Sequence, residues 1–255
     1  MSTVNQEPDP NRYESLKKQL RKSAEDWGAD RFGVADISEA MPYLIHEFGD
    51  YLRGMDRAVS MAVCFPREVL DQLAAGPSHT YLHYYRVVNV RLDDLGLRIA
   101  TQLYKKGFRS FPVPSSQRVA RDKLAGIFPH RLAARLAGLG WIGKSGSLIT
   151  PDHGPSVRLV TVLTDAPLPA DRPVPDRCGG CTLCIEACPA KAIKGRVFDP
   201  REGPHERLAP ELCDQYQDQV RSRFGKRVCG ICLAVCPWGK PRTRPGGKGG
   251  ADEED

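Results

Sequence analysis

The stretch 178-CGGCTLCIEACP-189 decides the reading of this chain. Its cysteines are spaced C-x2-C-x2-C-x3-C and are followed at once by proline. In such a run three thiolates hold one 4Fe-4S cluster and the fourth serves a neighbouring cluster. The spacing has a physical cause: a cubane needs thiolates at separate corners, and a tight turn with two-residue gaps wraps three of them around one face. Pro189 ends the loop and fixes the exit of the chain. A second copy, 229-CGICLAVCPW-238, keeps C-x2-C-x3-C-P but lacks the first cysteine, and Cys213 is the upstream replacement. The pattern predicts two 4Fe-4S clusters, the first held by Cys178, Cys181, Cys184 and Cys236, the second by Cys188, Cys213, Cys229 and Cys232. Zinc is the competing reading, but zinc prefers paired C-x2-C units across a longer spacer to a triple run ending in Cys-Pro.

Eight of the nine cysteines fall in this region, and Cys64 stands alone. Cys64 ends an apolar strand, where a cysteine is more often a small buried hydrophobe than a ligand. No apolar run reaches about 18 residues, so no membrane partner is expected. The polar N-terminus lacks the basic-then-apolar layout of a secretory signal. The expected compartment is the cytoplasm, where clustered cysteines point to metal rather than disulfides. The net charge is +6, and much of the excess lies between residues 86 and 135. Such a patch attracts phosphates, a nucleic acid or an acidic partner; it is equally read as a solvated face of an arginine-rich chain.

Outward from the cysteines, residues 166–176 (APLPADRPVPD) hold four prolines and read as a stiff linker at a domain boundary. Upstream of it, helical and strand periodicities alternate. Leu16, Leu20, Ala24 and Trp27 share a helical face that Gly28 ends. Residues 31–37 and 58–65 read as strands, and Val88, Leu92, Leu95, Ile99 and Leu103 mark a helix stopped by Gly107. A short strand follows at 108–113, a helix at 130–139 and a third good strand at 157–164. The expected fold is α+β: an α/β domain over 16–165, the linker, and a two-cluster ferredoxin-like domain over 177–240. Residues 1–15 and the Gly-, Pro- and charge-only tail 241–255 are expected to be disordered.

The segment 138-GLGWIGKSGSLITPDHGPSVRLVTVLT-164, the cysteine pattern and the ending Cys236-Pro237-Trp238 together resemble epoxyqueuosine reductase. More weakly, residues 28–36 and 58–65 resemble that family's opening strands, and His83-Tyr84-Tyr85-Arg86 its Tyr- and His-containing helix start. The resemblance covers roughly residues 15–240. It implies a nitroreductase-like N-terminal domain cupping cobalamin, with the cluster domain as a cap that passes electrons to cobalt. It also implies reductive removal of an epoxide oxygen on tRNA, a low-potential electron donor, and kinship to the reductive dehalogenases. The chain departs from the family at one point. The family carries Val-Asp-(Ser/Thr)-x-Pro before the GWIGK segment, and its aspartate is the proton donor there. Here 111-FPVPSSQ-117 has no acid, Asp122 is the nearest downstream, and residues 118–129 look like an insertion.

Tyr84 and Tyr85 are therefore the candidate proton donors. A phenol's ordinary pKa is near 10, so a neighbouring cation such as Arg86 is needed for service at neutral pH. The bland alternative is aromatic packing at a helix start. Gly140, Trp141, Ile142, Gly143 and Lys144 are candidate corrinoid contacts through exposed backbone N–H groups, or simply a helix cap and tight turn. Of the histidines, His83 and His130 flank the candidate pocket segments. Three functions compete: an epoxyqueuosine reductase-like, corrinoid-associated reductase with a closed pocket; an electron-transfer protein or reductive activator of a partner such as a corrinoid protein, without a pocket; and a nucleic-acid binder with structural clusters. The size of the N-terminal domain favours the first.

Overall fold

The computed structural model describes residues 10–117 and 126–240. Asp122 and most of the insertion-like segment lie outside the described residues, as do residues 1–9 and the tail 241–255. Helix α1 (Pro10–Asp26) begins inside the stretch expected to be disordered. Strand β1 (Arg31–Asp36), helix α2 (Met41–Phe48) and strand β2 (Arg57–Cys64) follow. After α3 (Arg67–Asp71) comes the long α4 (His79–Lys105), whose first turn is capped by Ser78, its Oγ accepting from the Tyr81 N–H at 3.2 Å. The chain continues through β3 (Ser110–Val113), α5 (His130–Leu136), β4 (Trp141–Ile142), β5 (Leu148–Ile149) and β6 (Val157–Thr164).

The four main strands lie in the order β1-β2-β6-β3, and every pairing is antiparallel. Alternation of helices and strands therefore did not produce the parallel sheet usual for α/β units; the architecture is α+β. The period-2 pattern of the strands divides the core. Val59, Met61 and Val63 of β2 and Val160 and Val162 of β6 face α1 and α4, packing on Leu20, Leu92, Leu95 and Ile99. Ala58, Ala62, Leu159 and Leu163 face α2 and α5, packing on Leu44, Ala133 and Ala134. β2 and β6 are buried on both faces, which is why they read as continuous apolar runs. Pro112 is tolerated because β3 is an edge strand.

The proline-rich segment 166–176 is not a free connector. Ala166 and Leu168 are fully buried in the sheet's core. The Asp171 N–H donates to the Val34 carbonyl at 2.7 Å, the Asp171 carboxylate accepts from the Val34 N–H at 2.8 Å, and Lys17 Nζ pairs with it at 2.7 Å. The segment thus covers the β1 edge, a usual way of blunting an open sheet edge.

The cysteine-bearing segment contains α6 (Leu183–Glu186), α7 (Pro210–Phe224) and α8 (Ile231–Ala234). It is joined to the sheet domain by an apolar cluster in which Phe65, Leu70, Leu73 and Tyr81 meet Val220, Val228 and Ala234. A second join is backbone on backbone. Gly154 has φ +55°, and a Cβ there would overlap the Trp238 carbonyl; a Cβ on Gly239 would overlap His153. Gly154→Ala is expected to destabilise the fold by about 3 kcal/mol or more, since overpacking costs about 1–3 kcal/mol and a left-handed non-glycine residue adds about 1–2. In a thermal melt that is a fall of roughly 6–12 °C. Gly203→Ala, with nothing within 4 Å of its added methyl, should leave the melt unchanged. Among the described residues, no helix is long and apolar enough to cross a membrane.

Candidate functional site

Eight thiols gather in two neighbourhoods. Burial pushes Cys184 up to about 11, with the charges of Cys178, Cys236 and Cys181 adding to the rise. Burial also raises Cys236, as do Cys178 and Cys181, against a Trp238 backbone hydrogen bond and the Arg67 charge. In the other neighbourhood, burial raises Cys213 and Cys229 and Cys188 add to it, while a Gln217 hydrogen bond opposes. Cys232 is pushed up to about 12 by burial first, then by Cys229, Cys213, Cys184 and Cys188. Thus Cys236, from the end of the segment, faces the first three cysteines of the early run. Cys188 from that run faces the later group. Cys184 and Cys232 adjoin across the boundary between α6 and α8.

These thiols fit iron–sulfur clusters. None is in a disulfide. N–H donors already point at sulfur: Trp141 Nε1 at Cys178 Sγ (3.5 Å), the Ala192 N–H at Cys188 Sγ (3.4 Å) and Gln217 Nε2 at Cys213 Sγ (3.8 Å). Such bonds stabilise thiolate charge and tune cluster potential. Among the described residues, no three His, Cys, Asp or Glu side chains close tightly on one ion position. Cys64 is separate: burial, then the Asp30 charge, pushes its thiol up to about 12, and its backbone N–H donates to Asp30.

The 140–144 segment lies mainly against the first thiol group. Trp141 is fully buried, meets Trp238 edge to face at 4.8 Å and carries the N–H aimed at Cys178. Gly140 lies against the Ile149 carbonyl and Gly143 against Cys178 Sγ, so both are glycine for close approach. Lys144 Nζ donates to the carbonyls of Gly179 (2.7 Å) and Cys181 (3.0 Å). Only Ile142 of the five lines the cavity described next. Arg67 makes a matching grip from α3. It pairs with Asp71 and donates to the carbonyls of Ala234, Cys236 and Trp238.

A cavity of about 2320 Å³ lies between the sheet domain and the cysteine-bearing segment. Small-molecule sites span about 300–1,000 Å³, so this one has room for a large cofactor and a substrate together. Its wall runs from Tyr85, Ser116 and His130 on one side to Leu208, Gln217 and Leu233 on the other, and Leu233 adjoins Cys232.

The two candidate tyrosines part company here. Tyr84 is 47% exposed, meets His83 edge to face and does not line the cavity. Tyr85 lines it. The cation beside Tyr85 is Arg158, not Arg86, which is exposed on α4. Arg158 Nη2 donates to the Tyr85 oxygen at 3.1 Å, its guanidinium lies 4.2 Å from the ring centroid, and Ser116 Oγ is 2.8 Å from the phenol. Burial raises the Tyr85 pKa, but the Arg158 charge and hydrogen bonds from Ser116, Asn89 and Arg158 outweigh it, so the phenol is more acidic than usual. Arg158 interrupts an otherwise apolar strand, the one sign of it in the sequence.

His130 lies beside this pair. Burial pushes its pKa down to about 4, and the Arg158 and Arg131 charges add to the effect. It is neutral at pH 7. Nε2 faces the Pro114 carbonyl at 2.9 Å and must donate; Nδ1 therefore accepts from the Thr161 hydroxyl at 2.8 Å. His130 thus pins the acid-free 111–117 segment to β6 and is not a proton donor at neutral pH.

Residues 177–239 match the 4Fe-4S double cluster binding domain. Over 267 residues the chain is 28% identical to epoxyqueuosine reductase of Vibrio cholerae serotype O1, covering 89% of this chain and 68% of that one. The chain is similar to epoxyqueuosine reductases over most of its length. The fold agrees. An epoxyqueuosine reductase solved with an epoxyqueuosine-modified tRNA-Tyr stem loop superposes with TM-score 0.60 at 22% identity, over 90% of this chain and 66% of that one. A reductive dehalogenase, whose structure bears on B12-dependent dehalogenation, superposes with TM-score 0.67 at 20% identity, over 96% and 34%. The chain therefore spans about two thirds of the epoxyqueuosine reductase in that complex and a third of the dehalogenase. The likeness to epoxyqueuosine reductases extends well beyond the cysteine motif and includes the sheet domain that forms most of the cavity.

Proposed function

We propose that this relative of the epoxyqueuosine reductases is a corrinoid-associated iron–sulfur reductase whose chemistry takes place in the cavity beside the thiols. One observation carries the reading: a single large cavity is walled on one side by the sheet domain and on the other by residues adjoining the cluster thiols. An electron carrier or reductive activator needs no such chamber. In this reading Cys178, Cys181, Cys184 and Cys236 hold one cluster and Cys188, Cys213, Cys229 and Cys232 the other. The nitroreductase-like N-terminal half cups a cobalamin. When bound, the corrinoid would supply a strongly reducing cobalt centre, and the clusters would supply its electrons from a low-potential donor.

The chain's own residues do the rest. Removal of an epoxide oxygen as water takes two electrons and two protons, and Tyr85 is the cavity-facing acid nearest the acid-free segment. Arg158 and Ser116 hold its phenol in place and stabilise the phenolate left after proton transfer. The walls limit water around the reacting bond. Epoxyqueuosine in tRNA, the substrate its relatives' name indicates, is the first substrate to test.

The cofactor claim is tested by mixing anaerobically purified protein with cob(II)alamin, desalting and recording the EPR spectrum. Retained cobalt with an altered axial-ligand signature is the expected result. Cluster signals without retained cobalt would overturn the corrinoid assignment and restore the electron-transfer reading.

A further inference from the structure

Besides Arg201, which pairs with Asp199, three arginines from separate elements line the cavity: Arg131 at the start of α5, Arg158 on β6 and Arg207 in the loop before α7. Among the described residues none has a carboxylate partner within ion-pair distance. This sets them apart from Arg31, Arg57, Arg67, Arg98 and Arg227, each of which holds one. Of the cavity-lining acids, Asp36 pairs with Arg57, Glu47 with His46, Glu202 with Arg196 and Glu211 with His205. Arg131 is exposed to the cavity. Burial first, then the Arg207 and Arg158 charges, lowers its pKa. Arg131 gives one donor to the Gly146 carbonyl; Arg158 gives donors to Asn89 Oδ1 and Tyr85. Arg207 is 8% exposed; its Nη1 donates to the Asp199 carbonyl at 3.4 Å, and the Glu202 and Asp199 charges lie near it without forming an ion pair. A guanidinium carries five N–H donors, so the group retains unused donors as well as unbalanced charge. Gathering like charges in an enclosed space costs stability unless an anion joins them.

We propose that Arg131, Arg158 and Arg207 form an oxyanion site that binds the carboxylate or phosphate of the substrate inside the cavity. Planar forked donors suit both groups. Because Arg158 also touches Tyr85, the bound anion lies next to the proton donor, and the substrate is one whose reducible bond is close to its acidic group. The placement of the substrate rests on the reductase reading; the anion site does not.

The test is calorimetric titration of oxidised, cluster-loaded protein with inorganic phosphate at constant ionic strength, without reductant or corrinoid. Saturable binding is expected in the wild type. Arg131→Gln should weaken it about tenfold or more, since hydrogen bonds to charged groups contribute about 1.5–3 kcal/mol. Arg86→Gln, on the exposed face of α4, should leave it unchanged. If Arg131→Gln loses its cluster absorbance, Arg131→Lys, which keeps the charge but not the fork, serves instead and is also expected to weaken binding. No saturable binding, unaltered binding in the Arg131 variant, or equal loss in Arg86→Gln would overturn the site. An adverse cobalamin result would leave this site standing, and absent phosphate binding would leave the reductase reading standing.

Discussion

Cys232→Ala is expected to leave about half of the iron, about four atoms per chain instead of about eight. Cys232 is enclosed by Cys229, Cys213, Cys188 and, across the boundary, Cys184, and no spare thiol stands ready to replace it. The sharper test is of the crossing, since each cluster is to draw a ligand from the other's motif. Cys178→Ala and Cys236→Ala lie far apart in sequence but serve one cluster, so their double variant should lose no more iron than either alone. Cys178→Ala with Cys232→Ala should lose both clusters. Non-additivity of this kind marks residues acting as a unit. Cys64→Ala should keep all the iron. Iron and sulfide analysis with EPR of the reduced protein reads each case; additive loss in the Cys178/Cys236 pair would refute the crossed assignment.

Tyr85→Phe is expected to lower kcat on an epoxyqueuosine-bearing RNA by about 10²-fold or more, the usual contribution of a positioned general acid. Cluster content and corrinoid retention should not change, because the partners of the phenol hydroxyl are Ser116, Arg158 and Asn89, none of them a cysteine. The pH profile adds a readout that a packing role would not move. The acid must be protonated, so activity falls as pH rises through its pKa, and the lowered Tyr85 pKa sets that fall below the ordinary phenol range. Ser116→Ala removes a hydrogen bond that favours the phenolate, so the alkaline limb should shift to higher pH. Tyr84→Phe, at an exposed ring outside the cavity, should behave as wild type. Equal effects of Tyr84→Phe and Tyr85→Phe would exclude the assignment.

The elements with strong local signals were legible in the sequence. β2 and β6 are continuous apolar runs, α4 repeats its leucines at helical spacing, and Gly28 and Gly107 take the left-handed conformations that stop helices at φ +92° and +88°. Helix α7 went unread because its apolar face is sparse. Of its residues only Val220 is fully buried, so its sequence looks like solvated loop. The 166–176 segment misled for a different reason: four prolines signal stiffness, but not whether a stiff segment stands free or lies along a sheet edge. The basic stretch 86–135 likewise divides in the fold. Arg86 faces solvent, while Arg131 turns into the cavity.

By itself, the sequence determined the chemistry of the cysteine region, because ligand spacing along a short loop is a local property of the chain. It also offered two adjacent tyrosines as candidate proton donors, because the 111–117 segment has no acid. Only the tertiary structure separates those tyrosines, since Tyr85 lines the cavity and Tyr84 does not. Neighbours on a helix point about 100° apart, and only the packing of α4 against β6 sends Tyr85 toward Arg158 and Tyr84 toward solvent. It likewise brought Arg131, Arg158 and Arg207 to one cavity. Their convergence depends on three elements distant in sequence, and no local pattern encodes a charge whose partner is a cavity.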